Sequence, residues 1–128
     1  MRVLLDTHTF LWWAEDSPKL SDKARKVIQA PEHRCVVSLV CAWEIAVKVS
    51  IGKLKIPGPV SRFFPRELHT HDFEQLDIGL RAICRVESLP LHHRDPFDRL
   101  LIAQALEEKL PVVTADPVFR KYGVKRIW

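Results

Sequence analysis

Apolar runs too short for helices, spaced between helical patterns, constrain this chain more than any other feature. Val3-Leu4-Leu5, Cys35-Val36-Val37 and the centre of Pro111-Val112-Val113-Thr114 are continuous rather than alternating. A strand that is apolar on both faces needs cover on both faces, which is the condition of a parallel sheet. Phe73 to Leu76 and Val124 to Trp128 supply two further strand candidates. Between them the pattern predicts helices. A turn at Thr7-His8-Thr9 leads into Phe10 to Ala14, and Ser21 caps Asp22 to Ala30, which Pro31 closes. Ser38 leads into a helix from about Val40 to Ser50, with Trp43, Val47 and Ile51 at helical spacing and Gly52 as its stop. Weaker signals cover Val60 to about Leu68 and Leu80 to Val86. Asp95-Pro96 opens the clearest helix, running to about Lys109 with proline at its first position, and Pro117 to Lys121 reads as a short turn. Strands alternating with helices imply an α/β fold, a three-layer α/β/α sandwich with a central parallel sheet. The pattern does not reveal the strand order.

A chain of 128 residues is expected to form one domain, 1–128, burying about two-thirds of its unfolded surface. The apolar run Phe10 to Ala14, among the longest, falls far short of the roughly 18 residues a bilayer span needs, and the first residues lack a signal-peptide pattern. Cys35, Cys41 and Cys84 are odd in number and form no C-x-x-C pair. They read as buried small hydrophobes in a reducing, cytoplasmic setting. Lys and Arg total 20 against 16 Asp and Glu, a net charge of +4. If four carboxylates were gathered in one neutralised pocket, 12 would stand against the 20 cations. The outer surface would then attract a polyanion such as RNA.

Four acids fall where such a fold converges. In open parallel sheets, sites lie outside the carboxyl ends of the strands. Asp6 ends the first strand, and Asp116 follows the Val112-Val113-Thr114 strand after one alanine. Glu44 lies about one turn into the helix that follows the second strand, and Asp98 lies in the first turn of the Asp95-Pro96 helix. Each also has a local explanation. Asp95 and Asp98 resemble a capping box, Asp116-Pro117 a helix start, and Glu44 with Lys48 an i,i+4 pair. Together they point further. Carboxylates about 5 Å apart repel by roughly 3 kcal/mol at an effective dielectric of 20, so a cluster takes up protons or a divalent cation. Oxygen donors without cysteine or an H-E-x-x-H pair favour Mg²⁺ or Mn²⁺ over zinc. Such ions activate water and stabilise charge on a phosphodiester.

VLLDTH (3–8), WEIAVK (43–48) with IGKLKIP (51–57), HRDPFDRLLIAQA (93–105) and VVTADPVF (112–119) resemble PIN-domain proteins, more narrowly the VapC-type toxins of bacterial type II toxin–antitoxin systems. The likeness runs through essentially the whole chain in order. It implies a Mg²⁺- or Mn²⁺-dependent ribonuclease selective for single-stranded RNA, usually dimeric and inhibited by a cognate antitoxin. Carried across, Asp6, Glu44 and Asp98 match the first three family acids and Asp116 the fourth, with Thr114 as its hydroxyl companion. Many relatives carry a further acid just beyond, where this chain has Phe119 and Arg120. One firmly held ion and a second recruited with substrate are therefore expected. A PIN-type nuclease of RNA processing, or a non-catalytic RNA- or protein-binding module, are the alternatives; the complete acid set argues against the second.

Other residues keep two readings at this stage. Asp95 is an N-cap or the edge of the site, and Thr7 caps a helix or donates to a site carboxylate. Arg94 and Arg99 sit at a solvated helix end or neutralise substrate phosphates. His92-His93 reads as a loop pair rather than a catalytic acid. His69 and His71 lie in what reads as an unstructured polar stretch. Trp12 and Trp13 read as packing or interface residues before RNA-stacking ones. Gly52-Lys53 lacks the upstream glycine of a P-loop.

Overall fold

The computed structural model describes residues 1–128. Its elements follow in the order β1 (Arg2–Leu5), α1 (Thr7–Ala14), α2 (Asp22–Gln29), β2 (Arg34–Ser38), α3 (Leu39–Ser50), α4 (Val60–His71), β3 (Glu74–Leu76), α5 (Leu80–Ser88), α6 (Pro96–Glu108), β4 (Val112–Val113), α7 (Val118–Lys121) and β5 (Arg126–Ile127). All five strands are parallel, in the spatial order β3-β2-β1-β4-β5.

Side chains of the central strands alternate between two cores, as the pleat requires. Val3, Leu5, Cys35 and Val37 enter one core with Phe10 of α1, Ile28 of α2, Ile45 of α3 and Phe63 and Phe64 of α4. Leu4, Val36 and Val112 enter the other with Leu101 and Ile102 of α6 and Phe119 of α7. The sheet is thus covered on both faces, and the continuous apolar runs are explained. No helix is long and apolar enough to cross a membrane.

The strand order decides where a site can form. From β1 the chain moves to β2 and β3 on one side, then returns to β4 and β5 on the other. The winding therefore reverses at β1, and sites in open parallel sheets form beyond the carboxyl ends of the strands at such a reversal.

Several boundaries differ from the sequence reading. Thr7-His8-Thr9 is the first turn of α1, because the Asp6 side chain accepts from the Thr9 N–H and starts the helix at once. Helix α4 runs on to His71, and left-handed Asp72 (φ 54°) ends it. The polar His69-Thr70-His71 stretch is helical because Glu67 pairs with His71 one turn on and the His71 ring packs against Phe73. Pro117 to Lys121 includes the one-turn helix α7. Strand β4 is limited to Val112–Val113, although Pro111 and Thr114 still bond to the neighbouring strands. Cys84 is exposed while Cys35 and Cys41 are buried, so only two of the three thiols are core residues.

Candidate active site

Asp6 leaves β1 at the winding reversal and is 7% exposed. One carboxylate oxygen accepts from the Thr9 N–H at 2.8 Å, which caps α1, and the other accepts from the Thr114 hydroxyl. Thr9 in turn donates its hydroxyl to the Val113 carbonyl at 2.8 Å. The carboxyl ends of β1 and β4 are thus laced together around one acid. Burial raises the Asp6 carboxyl above its ordinary value, and the bonds from Thr114 and Thr9 oppose that rise.

Glu44 comes from α3 and is 4% exposed. It accepts from the Thr7 hydroxyl at 2.6 Å and pairs with Lys48 one turn along. The start of α3 is fixed by Ser38, whose hydroxyl accepts from the Val40 N–H at 3.0 Å and donates to Gln104 of α6. Helices α3 and α6 are therefore tied at the level of the site.

Asp98 stands in the first turn of α6, where Asp95 accepts its N–H at 2.9 Å. Its side chain is 24% exposed. Burial pushes its carboxyl up to about 7, reinforced in order by the charges of Asp95, Glu44, Asp6 and Asp116. Asp95, the cap of the same helix, and Glu44, Asp6 and Asp116 from other parts of the chain thus lie close enough for their charges to act on one group. Asp116 is exposed at the rim. It donates its N–H to the Thr114 hydroxyl at 3.1 Å and accepts from the Val118 N–H at 2.9 Å, so it also starts α7.

The flanking residues divide. Thr7 does not cap α1, since Asp6 does; its hydroxyl serves Glu44. Asp95 is the N-cap of α6 and also adds to the charge on Asp98. Arg99 fits neither a solvated helix end nor a phosphate ligand: it is buried and bonded to the Pro90 carbonyl and the Tyr122 hydroxyl. The i and i+1 positions of a helix point apart, so Arg99 turns inward where Asp98 faces the other acids. Arg94 is exposed. His69 and His71, two apart on α4, share no face, and His71 pairs with Glu67. Trp12 and Trp13 are half-buried against the first core, Trp12 beside Trp128 and Trp13 beside His71, in line with the packing reading. Gly52 closes α3 with φ 75°.

Two further residues stand at the site: His93, which the sequence reads as one of a loop pair, and Tyr122, which it passes over. His93 stands 3.3 Å from Asp98, and Tyr122 contacts both His93 and Arg99. His93 lies five positions before Asp98, a spacing that hints at contact across a helix start. Nothing in the sequence singles out Tyr122.

The donor chemistry fits a hard divalent cation: Asp6, Glu44, Asp98 and Asp116 are carboxylates, the Thr114 and Thr7 hydroxyls bond the first two, and Lys48 and His93 are the basic side chains bonded to the acids. In this structure no three His, Cys, Asp or Glu side chains are placed so that they could hold a metal ion together. The oxygens of Asp6 and Glu44 are held instead by Thr9, Thr114, Thr7 and Lys48. A cation would have to displace some of these donors from the carboxylates.

Comparison with known proteins identifies the family and supports the fold. The PIN domain family model matches residues 3–125. The chain is 28% identical over 122 residues to Ribonuclease VapC22 of Mycobacterium tuberculosis, covering 94% of this chain and 91% of that protein. Among solved structures it is similar to VapBC2 from Rickettsia felis bound to a DNA fragment from its promoter (TM-score 0.68, 15% identity, 100% of both chains). It is also similar to VapBC-1 from nontypeable Haemophilus influenzae (TM-score 0.64, 17% identity, 98% of this chain and 96% of the other).

Proposed function

The chain belongs to the PIN domain family, and from that premise we propose that it is a metal-dependent endoribonuclease, the toxin of a VapC-type toxin–antitoxin pair. The observation that carries this reading is the set of hydrogen bonds that gathers Asp6 and Asp116 on Thr114, and Glu44 on Thr7, at the carboxyl ends of β1 and β4, with Asp98 near enough for their charges to raise its carboxyl. A pocket of like charges relieves its repulsion by binding a cation. Asp6, Glu44, Asp98 and Asp116 would hold Mg²⁺ or Mn²⁺, which when bound supplies an activated water and stabilises charge on a phosphodiester.

The chain's own residues do the rest. Thr114 and the Thr9 N–H keep Asp6 oriented at the end of β1, and Thr7 with Lys48 orients Glu44. Asp95 sets the first turn of α6 and so the placing of Asp98. The likeness to a ribonuclease over nearly the full chain supports RNA as the substrate, with single-stranded regions as its form. The likeness to VapBC assemblies supports an antitoxin partner. A homodimer acting in the cytoplasm completes the reading.

The test is cleavage of a fluorescent single-stranded RNA by purified protein. Activity should vanish in chelator, return with Mn²⁺ or Mg²⁺, and fall by orders of magnitude in Asp98→Asn. Undiminished cleavage in chelator would reject the mechanism. Growth arrest on expression, relieved by the product of a small adjacent gene, separates a toxin from an RNA-processing enzyme.

A further inference from the structure

Arg99 is a buried guanidinium bonded to neutral oxygens alone. Its Nη1 donates to the Pro90 carbonyl at 2.8 Å and to the Tyr122 hydroxyl at 3.0 Å, and its Nη2 to the Val86 and Leu89 carbonyls at 3.4 Å each. The Tyr122 hydroxyl also accepts the His93 backbone N–H at 3.2 Å. Both of its lone pairs are thereby engaged, and its own proton has one acceptor beside it, His93 Nδ1 at 2.8 Å. A ring nitrogen that accepts carries no proton. In the neutral imidazole the proton then lies on Nε2, 3.3 Å from Asp98 Oδ2.

We propose that Tyr122 and Arg99 are positioning residues for Asp98, fixing His93 as an Nε2–H donor to one oxygen of that carboxylate and leaving Oδ1 without a protein donor. The inference rests on the reading of Asp98 as a site acid. Its logic is that of the outer shell around a ligating group, where a fixed donor sets the orientation of the carboxylate. With Asp98 ionised, as at the pH of the test below, the other tautomer would present a lone pair to Oδ2 and repel it. The Arg99 charge strengthens the chain by polarising the Tyr122 hydroxyl. It also accounts for a cation buried one residue from the acids yet not paired with them.

The tautomer is read directly by long-range ¹H–¹⁵N correlation spectra of metal-free protein labelled at histidine. The pH is set near ~8.5, where an unperturbed imidazole is neutral, and His93 is assigned by its absence in His93→Gln. The expected pattern is Nε2–H in the wild type and mixed tautomers in Tyr122→Phe, which keeps the ring that packs against His92 and His93. An Nδ1–H pattern in the wild type overturns the proposal. In RNA cleavage, Tyr122→Phe should lower kcat about tenfold with KM changed less than about twofold. His93→Gln, whose amide N–H reaches the place of Nε2–H, should keep most of kcat, while His93→Phe loses it. Equal loss in both overturns the donor role. If Tyr122→Phe fails to fold, the wild-type spectrum and the Gln/Phe pair still decide. A wild type that cleaves no RNA sinks the nuclease reading instead, and the spectrum then judges the tautomer on its own.

Discussion

Thr114 donates its hydroxyl to Asp6 across 108 residues of chain, joining the carboxyl ends of two adjacent parallel strands. That bond opposes the effect of burial on Asp6. Thr114→Val removes it at nearly constant volume and should lower kcat about tenfold or more. Thr114→Ser keeps a hydroxyl and should retain most of the rate. Steady-state cleavage of a short RNA distinguishes them.

Asp6→Asn separates capping from charge. Asparagine caps a helix about as well as aspartate, and burial disfavours the charged form of Asp6. The variant should unfold a few degrees higher than the wild type in chelator, yet cleave no RNA. Calorimetry showing a markedly lower Tm would mean that the charge stabilises the metal-free fold.

Metal-free protein should lose stability as pH rises between about 4 and about 7. Asp98 is held at about 7 in the fold against an ordinary 3.8. Between these values the folded chain retains a proton that the unfolded chain has released. Its contribution is complete below the unfolded value and gone once pH passes the folded one. Urea unfolding in chelator at pH 5 and pH 8 should show the wild type losing ground to Asp98→Asn. An unchanged difference contradicts the raised value.

Thiol reactivity should follow burial. Burial pushes the Cys41 thiol up to about 12 and Cys35 up to about 11, whereas Cys84 is exposed. A thiolate is the reactive form. Native protein should therefore titrate one thiol quickly with a disulfide reagent and three in denaturant. Fast reaction of Cys41 would mean that the core beside Leu5 opens in the native protein.

Ser38→Ala tests the tie between α3 and α6. It deletes the cap of α3 and leaves the Gln104 carbonyl oxygen buried without its donor. The expected destabilisation is about 1–3 kcal/mol. Activity per folded molecule should change little, because Glu44 keeps its own partners, Thr7 and Lys48. Parallel denaturation and rate measurements check both halves.

Much of the site was legible because strand ends and helix starts are local signals. The apolar run before Asp6, the proline after Asp95 and the hydrophobic pair before Thr114 each place an acid on an element without reference to the rest of the chain. The misreadings have one cause. His69 to His71 reads as polar loop until the packing of His71 on Phe73 is known. Arg99 reads as a surface cation until the carbonyls that receive it are in view.

The amino-acid sequence by itself determined which segments are strands and helices, that the sheet is parallel and covered on both faces, and which four acids could meet. Those properties reside in the spacing of near neighbours and in the chemistry of single side chains. Only the tertiary structure decided the order β3-β2-β1-β4-β5, the inward turn of Arg99 and the meeting of Tyr122 with His93. Strand order and polar partnership follow from desolvation. A buried donor must find whichever acceptor the packed chain brings to it, and that acceptor lies at no fixed distance along the sequence.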